Sequence, residues 1–150
     1  MIFRLATRRD LPAMVALLSN PDEDVLVDPL TVEVGEAYLR AFEAVDADPR
    51  NELLVLDEGD GTVLGCLQLT YIPGLGRRGI ERALIEAVRV RADRRGAGLG
   101  RALLTEAIAR ARTRGCGLVQ LTSGKRRTDA HRFYDALGFV ASHEGFKLPL

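Results

Sequence analysis

The chain has 150 residues, enough for one domain, with 47% hydrophobic and 28% charged side chains, the balance of an ordinary soluble globular protein. Its 21 basic and 21 acidic residues cancel to a formal net charge of zero, which argues against general nucleic-acid binding. Cys66 and Cys116 stand in apolar runs and read as small buried side chains, not a disulfide framework or metal site; no apolar run reaches membrane-spanning length and the N-terminus is too charged for a signal peptide, so no membrane partner and a cytoplasmic location are expected.

Residues 2–5 alternate as a short strand. Asp10 is placed to cap a helix from Leu11, with Pro12 in its first turn and Leu11, Met14, Val15, Leu17 and Leu18 on one face. Residues 20–29 are acidic and turn-rich and read as a loop. Thr31 is placed to cap a second helix through about Val45, with Val34, Tyr38, Leu39 and Phe42 as its buried stripe. Strands at 52–56 and 62–71 flank the hairpin signal Glu58-Gly-Asp-Gly61, and Gly65 is a bulge candidate. A Gly/Arg loop at 73–79 leads to a central strand at 83–90. A long helix at 99–114 ends at Gly115, and a strand follows at 117–122. A short helix from Thr128 or Asp129 to Leu137, closed by Gly138, precedes closing strands at 139–141 and 146–148. This order predicts an α/β protein with one domain over 1–150, a mixed sheet carrying helices on both faces.

Between the central strand and the long helix stand Gly96, Gly98 and Gly100, preceded by Arg94 and Arg95. Glycines let backbone N–H groups approach a ligand without intervening Cβ atoms. The helix start adds N–H groups that have no intrahelical acceptor. Together with the guanidinium donors this is a recipe for holding a phosphate or pyrophosphate. The third glycine comes too early for the dinucleotide fingerprint, and no Gly-Lys-Ser/Thr follows, so a P-loop is excluded too. The bland alternative is a tight strand–helix turn.

Two motifs carry a family resemblance. Arg95-Gly-Ala-Gly-Leu-Gly100 resembles the Arg/Gln-x-x-Gly-x-Gly/Ala motif of the GNAT N-acetyltransferase superfamily, and Ala130-His-Arg-Phe-Tyr-Asp-Ala-Leu-Gly-Phe139 resembles its C-terminal Ala-x-x-x-Tyr-x-x-x-Gly-Phe signature. The C-terminal third, with Leu121-Thr-Ser and Ser142-His143, is similar to the aminoalkylphosphonate N-acetyltransferases, although 73–79 lacks their histidine-rich stretch and Arg127 stands where asparagine is common. The resemblance implies the single-domain acyl-CoA N-acyltransferase fold and acetyl-CoA as co-substrate. It implies direct transfer to an amine, with a homodimer expected.

On that resemblance the backbone of Arg95, Gly96, Ala97, Gly98, Leu99 and Gly100 grips the coenzyme A pyrophosphate, aided by the Arg95 and Arg101 side chains. The strand at Val88, Arg89 and Val90 pairs with the pantetheine amides, and a Val88 or Val90 N–H polarises the acetyl carbonyl. Ser123 and Arg127 lie near the cofactor, with Lys125 and Arg126 in the same charge run. Tyr134 is the general acid for the leaving thiolate; the alternative is a helix aromatic packing beside Phe133. Glu86 is the candidate general base, because alternation gives it the face of Leu84, Val88 and Val90, apolar company in which a carboxylate becomes more basic. The alternatives there are a salt bridge to an arginine such as Arg89 or Arg91, or exposure at the strand end. Glu81, His131 and His143 are further titratable options. No metal site is expected. The acceptor groove is expected from 26–38 and 71–79, with Asp22, Glu23, Asp24 and Asp28 drawing in a cationic amine. A small-molecule amine is the expected acceptor, a protein lysine or N-terminus the alternative. The rival from another class is a non-catalytic acyl-CoA-binding sensor or regulatory domain on the same fold.

Overall fold

Alternating apolar residues assemble five strands into one sheet in the order β1 (Ile2–Leu5), β2 (Asn51–Asp57), β3 (Val63–Ile72), β4 (Arg82–Val90) and β5 (Leu118–Leu121). The computed structural model describes residues 1–19 and 26–150; the acidic run Asp22, Glu23 and Asp24 lies outside the described residues, as does most of the expected loop at 20–29. The pairs β1–β2, β2–β3 and β3–β4 are antiparallel. β5 is reached from β4 through the long helix α4 (Leu99–Arg114), the kind of crossover a parallel neighbour requires. The sheet is mixed, with helices on both faces, and the fold is α/β. The chain divides into two compact units, Met1–Gln120 and Leu121–Leu150. The second is below the size at which a chain usually buries a core of its own.

Directly opposed residues of antiparallel strands share a face, so the register assigns the two layers. Leu54, Leu67, Leu69 and Ile85 lie on one face, all at 2% exposure or less, with Leu103, Leu104, Ala107 and Ala111 of α4 equally buried. Each such leucine contributes roughly 1.5–3 kcal/mol relative to leaving it in water. On the other face Val55 and Cys66 join Leu11 and Met14 of α1 (Leu11–Leu18) and Phe42 of α2 (Glu36–Ala47). Gly65 marks where the first layer is tightest. A Cβ there would stand 2.7 Å from the Arg89 carbonyl oxygen and 2.9 Å from Leu103 Cδ1. Glycine is needed because β3, β4 and α4 close on one point.

Several local expectations are corrected. Thr31 caps nothing. It ends a 3-10 turn, Pro29–Thr31, whose cap is Asp28, and α2 starts later, after Gly35. Tyr38 is exposed, so the stripe of α2 is Phe42 with Leu39, and Val34 packs beside them from ahead of the helix. The 73–79 loop contains a short turn, α3 (Gly76–Gly79), in which Arg77 and Arg78 are left-handed. In the second unit α5 (Thr128–Asp135) forms and Gly138 takes the left-handed conformation that stops it. The closing strands at 139–141 and 146–148 do not form: residues 139–150 carry no strand, and Phe146 and Leu148 are 91% and 84% exposed. Strands this short need a pairing edge, and α5 is the only regular element that lies wholly within that unit.

Asp10 stands at the N-cap position of α1, as expected, but its side chain makes no capping bond there. It is 5% exposed, accepts the Thr7 N–H at 2.7 Å, and takes two bonds from the Arg4 guanidinium at 2.7 and 2.8 Å. Arg4 Nε donates to Asp57 at 2.8 Å, and Asp57 also accepts the N–H groups of Gly59 and Gly61 in the hairpin. Arg4 thus ties β1 to the start of α1 and to the β2–β3 turn. Burial alone would push the Asp10 carboxyl up, but the Arg4 and Thr7 hydrogen bonds outweigh it and hold it below the usual carboxylate range. The Gly59 N–H and then Arg4 hold Asp57 low as well. Depressed carboxylates add stability that is complete above their unfolded pKa, about 4, and is lost as pH falls through the folded value. Arg4→Met strands Asp10 in the interior and should cost about 3 kcal/mol in urea unfolding at pH 7. The gap to wild type should shrink at pH 3; an equal gap at both pH values would contradict the pairing.

Candidate active site

The site is built around one irregularity in β4. Cys66 pairs with Arg89 and Gln68 with Glu86, so Leu67 faces two residues, Ala87 and Val88. Ala87 takes φ 55°, in the left-handed region, which marks the extra residue of a β-bulge. The Val88 carbonyl accepts from Arg89 Nη1 at 3.0 Å. Beyond the bulge Val90 faces Gly65, and the Arg91 N–H reaches the Leu64 carbonyl at 2.9 Å.

The bulge corrects the expected alternation. Leu84 and Glu86 share the face of Thr70 and Gln68, but past Ala87 that face passes to Arg89, not to Val88 or Val90. Glu86 is exposed and, among the described residues, forms no ion pair. Its neighbours are Gln68 opposite and Leu84 beside it, so the expected apolar company is thinner than the sequence suggests. Nothing in the sequence flags Ala87: alanine has no preference for a left-handed backbone.

On its other side β4 is only partly accompanied. The Gly117 N–H bonds to the Glu81 carbonyl at 2.9 Å, which sets the start of β5 beside the start of β4. β5 has four residues against nine in β4, so it ends near the bulge. Among the described residues no strand accompanies the backbone edge at Ala87, Val88, Arg89 and Val90 on that side, which is what a ligand with amide groups needs for β-augmentation.

That edge runs into the glycine loop. Gly96 and Gly98 have φ 76° and 78°, and Gly96, Ala97 and Gly98 are exposed with Arg95. Gly98 is the N-cap of α4, without a side-chain cap, and the first turn holds no acidic residue but does hold exposed Arg101. An uncapped helix start flanked by arginines favours an anion. The Leu99 side chain is buried in the core, so only its backbone faces this role. Arg94 is committed elsewhere, to Glu58 at 2.8 Å, and Arg91 is held by Asp93. A cleft of about 450 Å3 adjoins the end of β4, floored by Ala13, Ala16, Leu17 and Val63 and edged by Arg89, Arg91 and Arg95.

The sequence matches the acetyltransferase (GNAT) family over residues 20–139. The chain belongs to that family. Among solved structures it is similar to a protein described as a transcriptional regulator from Bacillus halodurans C-125, at 42% identity over 99% of both chains with a TM-score of 0.88. It is also similar to a putative acetyltransferase from Agrobacterium tumefaciens, at 31% identity over 100% of both chains and TM-score 0.84, and to an acetyltransferase of Trypanosoma brucei, at 27% identity over 99% of both and TM-score 0.79. A comparison with curated proteins finds no match. These relatives speak to the family and not to the acceptor.

In this GNAT chain the remaining candidates sort by environment. Within the second unit, Tyr134 is half-buried on α5 between Phe133 and Phe139, with ring centroids 5.4 and 6.0 Å away. His131 contacts the Gly124 carbonyl at 2.9 Å, and His143 the Ser142 hydroxyl at 2.7 Å. The Ser123 hydroxyl is buried and, among the described residues, makes no hydrogen bond; Arg127 is exposed at the start of α5. In the first unit Glu81 pairs with Arg114 at 2.6 Å, which holds its carboxyl low and makes it a poor base. Cys66 is 1% exposed, and burial pushes its thiol up to about 12. Burial and Glu81 raise Cys116 too. Neither is an activated thiolate. Ellman's reagent at pH 8 should therefore leave Cys66 untouched until denaturant is added; fast labelling of Cys66 in the native state would contradict this packing.

Proposed function

We propose that this protein moves an acetyl group from acetyl-CoA directly to an amine, in a ternary complex. The observation that carries the reading is the unaccompanied edge of β4 past the bulge, running into an exposed glycine loop at an uncapped, arginine-flanked helix start. Residues Arg95, Gly96, Ala97, Gly98, Leu99, Gly100 and Arg101 fit a pyrophosphate through backbone N–H groups and two guanidinium ions. Val88, Arg89 and Val90 fit the amides of a pantetheine arm. Ser123 and Arg127 are assigned to the cofactor as well.

Acetyl-CoA supplies the thioester carbonyl, and the amine forms its C–N bond there as the C–S bond breaks. The protein's part is electrostatic and protonic. An N–H at Val88 or Val90 stabilises charge on the carbonyl oxygen. Glu86, exposed beside the bulge, takes the proton from the ammonium, directly or through water. Tyr134 gives a proton to the departing sulfur. With Cys66 and Cys116 both inert, a covalent acyl-enzyme is not needed. The acceptor is a small amine rather than a protein lysine or N-terminus, and the C-terminal likeness to aminoalkylphosphonate acetyltransferases makes those amines candidates. We place the protein in the cytoplasm as a homodimer without nucleic-acid or membrane partners.

A second reading is an acyl-CoA-sensing regulatory domain, favoured by the description of the 42% identical relative as a transcriptional regulator. Thiol release from acetyl-CoA over a panel of amines separates the two. Tyr134→Phe and Glu86→Gln should each lower kcat by about 100-fold with acetyl-CoA affinity unchanged. Binding without thiol release on any amine supports the sensor, and lost affinity with normal turnover removes Tyr134 from the chemistry.

A further inference from the structure

Arg82 opens β4 on the same face as Leu84 and Glu86, opposite Ile72. Its neighbours in kind are paired: Arg4 with Asp10 and Asp57, Arg91 with Asp93, Arg94 with Glu58, Arg110 with Glu52, Arg114 with Glu81. Arg82 is half-buried, its Nε is shielded from solvent and makes no hydrogen bond, and among the described residues no carboxylate pairs with it. A half-buried guanidinium without an acidic partner is costly, so an anionic group that meets its terminal nitrogens is stabilising. Nη1 is 3.6 Å from where a Cβ at Gly74 would be, an ordinary contact distance that sets the guanidinium beside the 73–79 loop.

Between Arg82 and Glu86 the platform is uncharged and polar. Thr70 faces Leu84 and Gln68 faces Glu86. The Thr70 hydroxyl donates to Asn51 at 2.8 Å, and Gln68 donates to Thr70 at 3.4 Å. All of these residues are half-buried or exposed, so α1 and α2 leave this part of the sheet face uncovered. Glu86 lies four positions after Arg82 on the strand, ~13 Å along the backbone. Arg77 and Arg78, exposed and left-handed in the preceding turn, add positive charge on the way to β4.

We infer that the acceptor amine carries an anionic group, carboxylate or phosphate, set several bonds back from its nitrogen, which Arg82 holds while the nitrogen lies at Glu86. The inference rests on the acetyltransferase reading and names the acceptor class of that site. Arg82 is a specificity residue; it takes no part in the transfer.

The test compares matched amines in thiol release: 6-aminohexanoate against 6-aminohexanamide, and 3-aminopropyl phosphate against 3-aminopropanol. At least one anionic member should exceed its neutral partner tenfold or more in kcat/KM, and the pair that does so identifies the anion. Arg82→Gln should remove that preference through KM, leave the neutral amines and the KM for acetyl-CoA unchanged, and keep the wild-type melting temperature; Arg82→Lys should restore part of it. Equal use of both members of each pair, or a preference that survives Arg82→Gln, overturns the inference while leaving the acetyltransferase reading intact. Calorimetric titration of 6-aminohexanoate and 3-aminopropyl phosphate into protein saturated with coenzyme A gives a readout independent of turnover. Binding that Arg82→Gln abolishes, without thiol release on any amine, upholds the anion site and removes the enzyme. No binding and no preference for either anion overturns the site.

Discussion

Everything at the site follows from one extra residue in β4. Two strands with matched counts would pair along their whole length and present a closed ladder. Because Ala87 and Val88 together oppose Leu67, the ladder is interrupted there and resumes at Arg89 one residue out of step. The left-handed Ala87 costs about 1 kcal/mol or more, and tertiary packing has to offset that. It does so at Gly65, where the absence of a side chain lets Arg89, Val90 and Leu103 close in together. The bulge and the glycine beneath it are two halves of one constraint.

The long helix connects this constraint to the glycine loop. Its inner face is a run of leucines and alanines fixed against β3 and β4. Its outer rows carry Arg110 and Arg114, which anchor it through Glu52 and Glu81, while Arg114 also lies 4.1 Å over the Tyr71 ring. At its far end Gly115 takes the left-handed conformation, and the Cys116 N–H returns to the Ala111 carbonyl. A helix held so firmly keeps its start in a fixed position relative to the β4 edge. Catalysis by positioning depends on such rigidity, because a displacement of about 1 Å at a reacting centre is expensive.

What the sequence discloses is periodic or motif-borne. The helix at 99–114 and the strand at 2–5 appear with the expected bounds because strong alternation and a clear glycine stop delimit them. The glycine loop is legible because the left-handed backbone at Gly96 and Gly98 selects glycine. Tertiary partners are not legible. Asp10 looks like a cap, yet Arg4 recruits it into a buried cluster. Thr31 looks like a cap, yet Asp28 and Pro29 begin a turn ahead of it. The face assigned to Glu86 goes astray because period-two counting assumes a regular ladder and nothing local announces an alanine with positive φ. The tail at 139–150 alternates like strands, but a strand is defined by its neighbour, and a sequence does not name neighbours.

Hydrogen–deuterium exchange in the presence and absence of acetyl-CoA tests the central claim most directly, since the claim concerns backbone N–H groups. The account predicts slowed exchange in two stretches, 87–90 past the bulge and 96–101 at the start of α4, with residues 36–47 of α2 unchanged. Exchange that stays the same in both stretches, or protection confined to other parts of the chain, would contradict it.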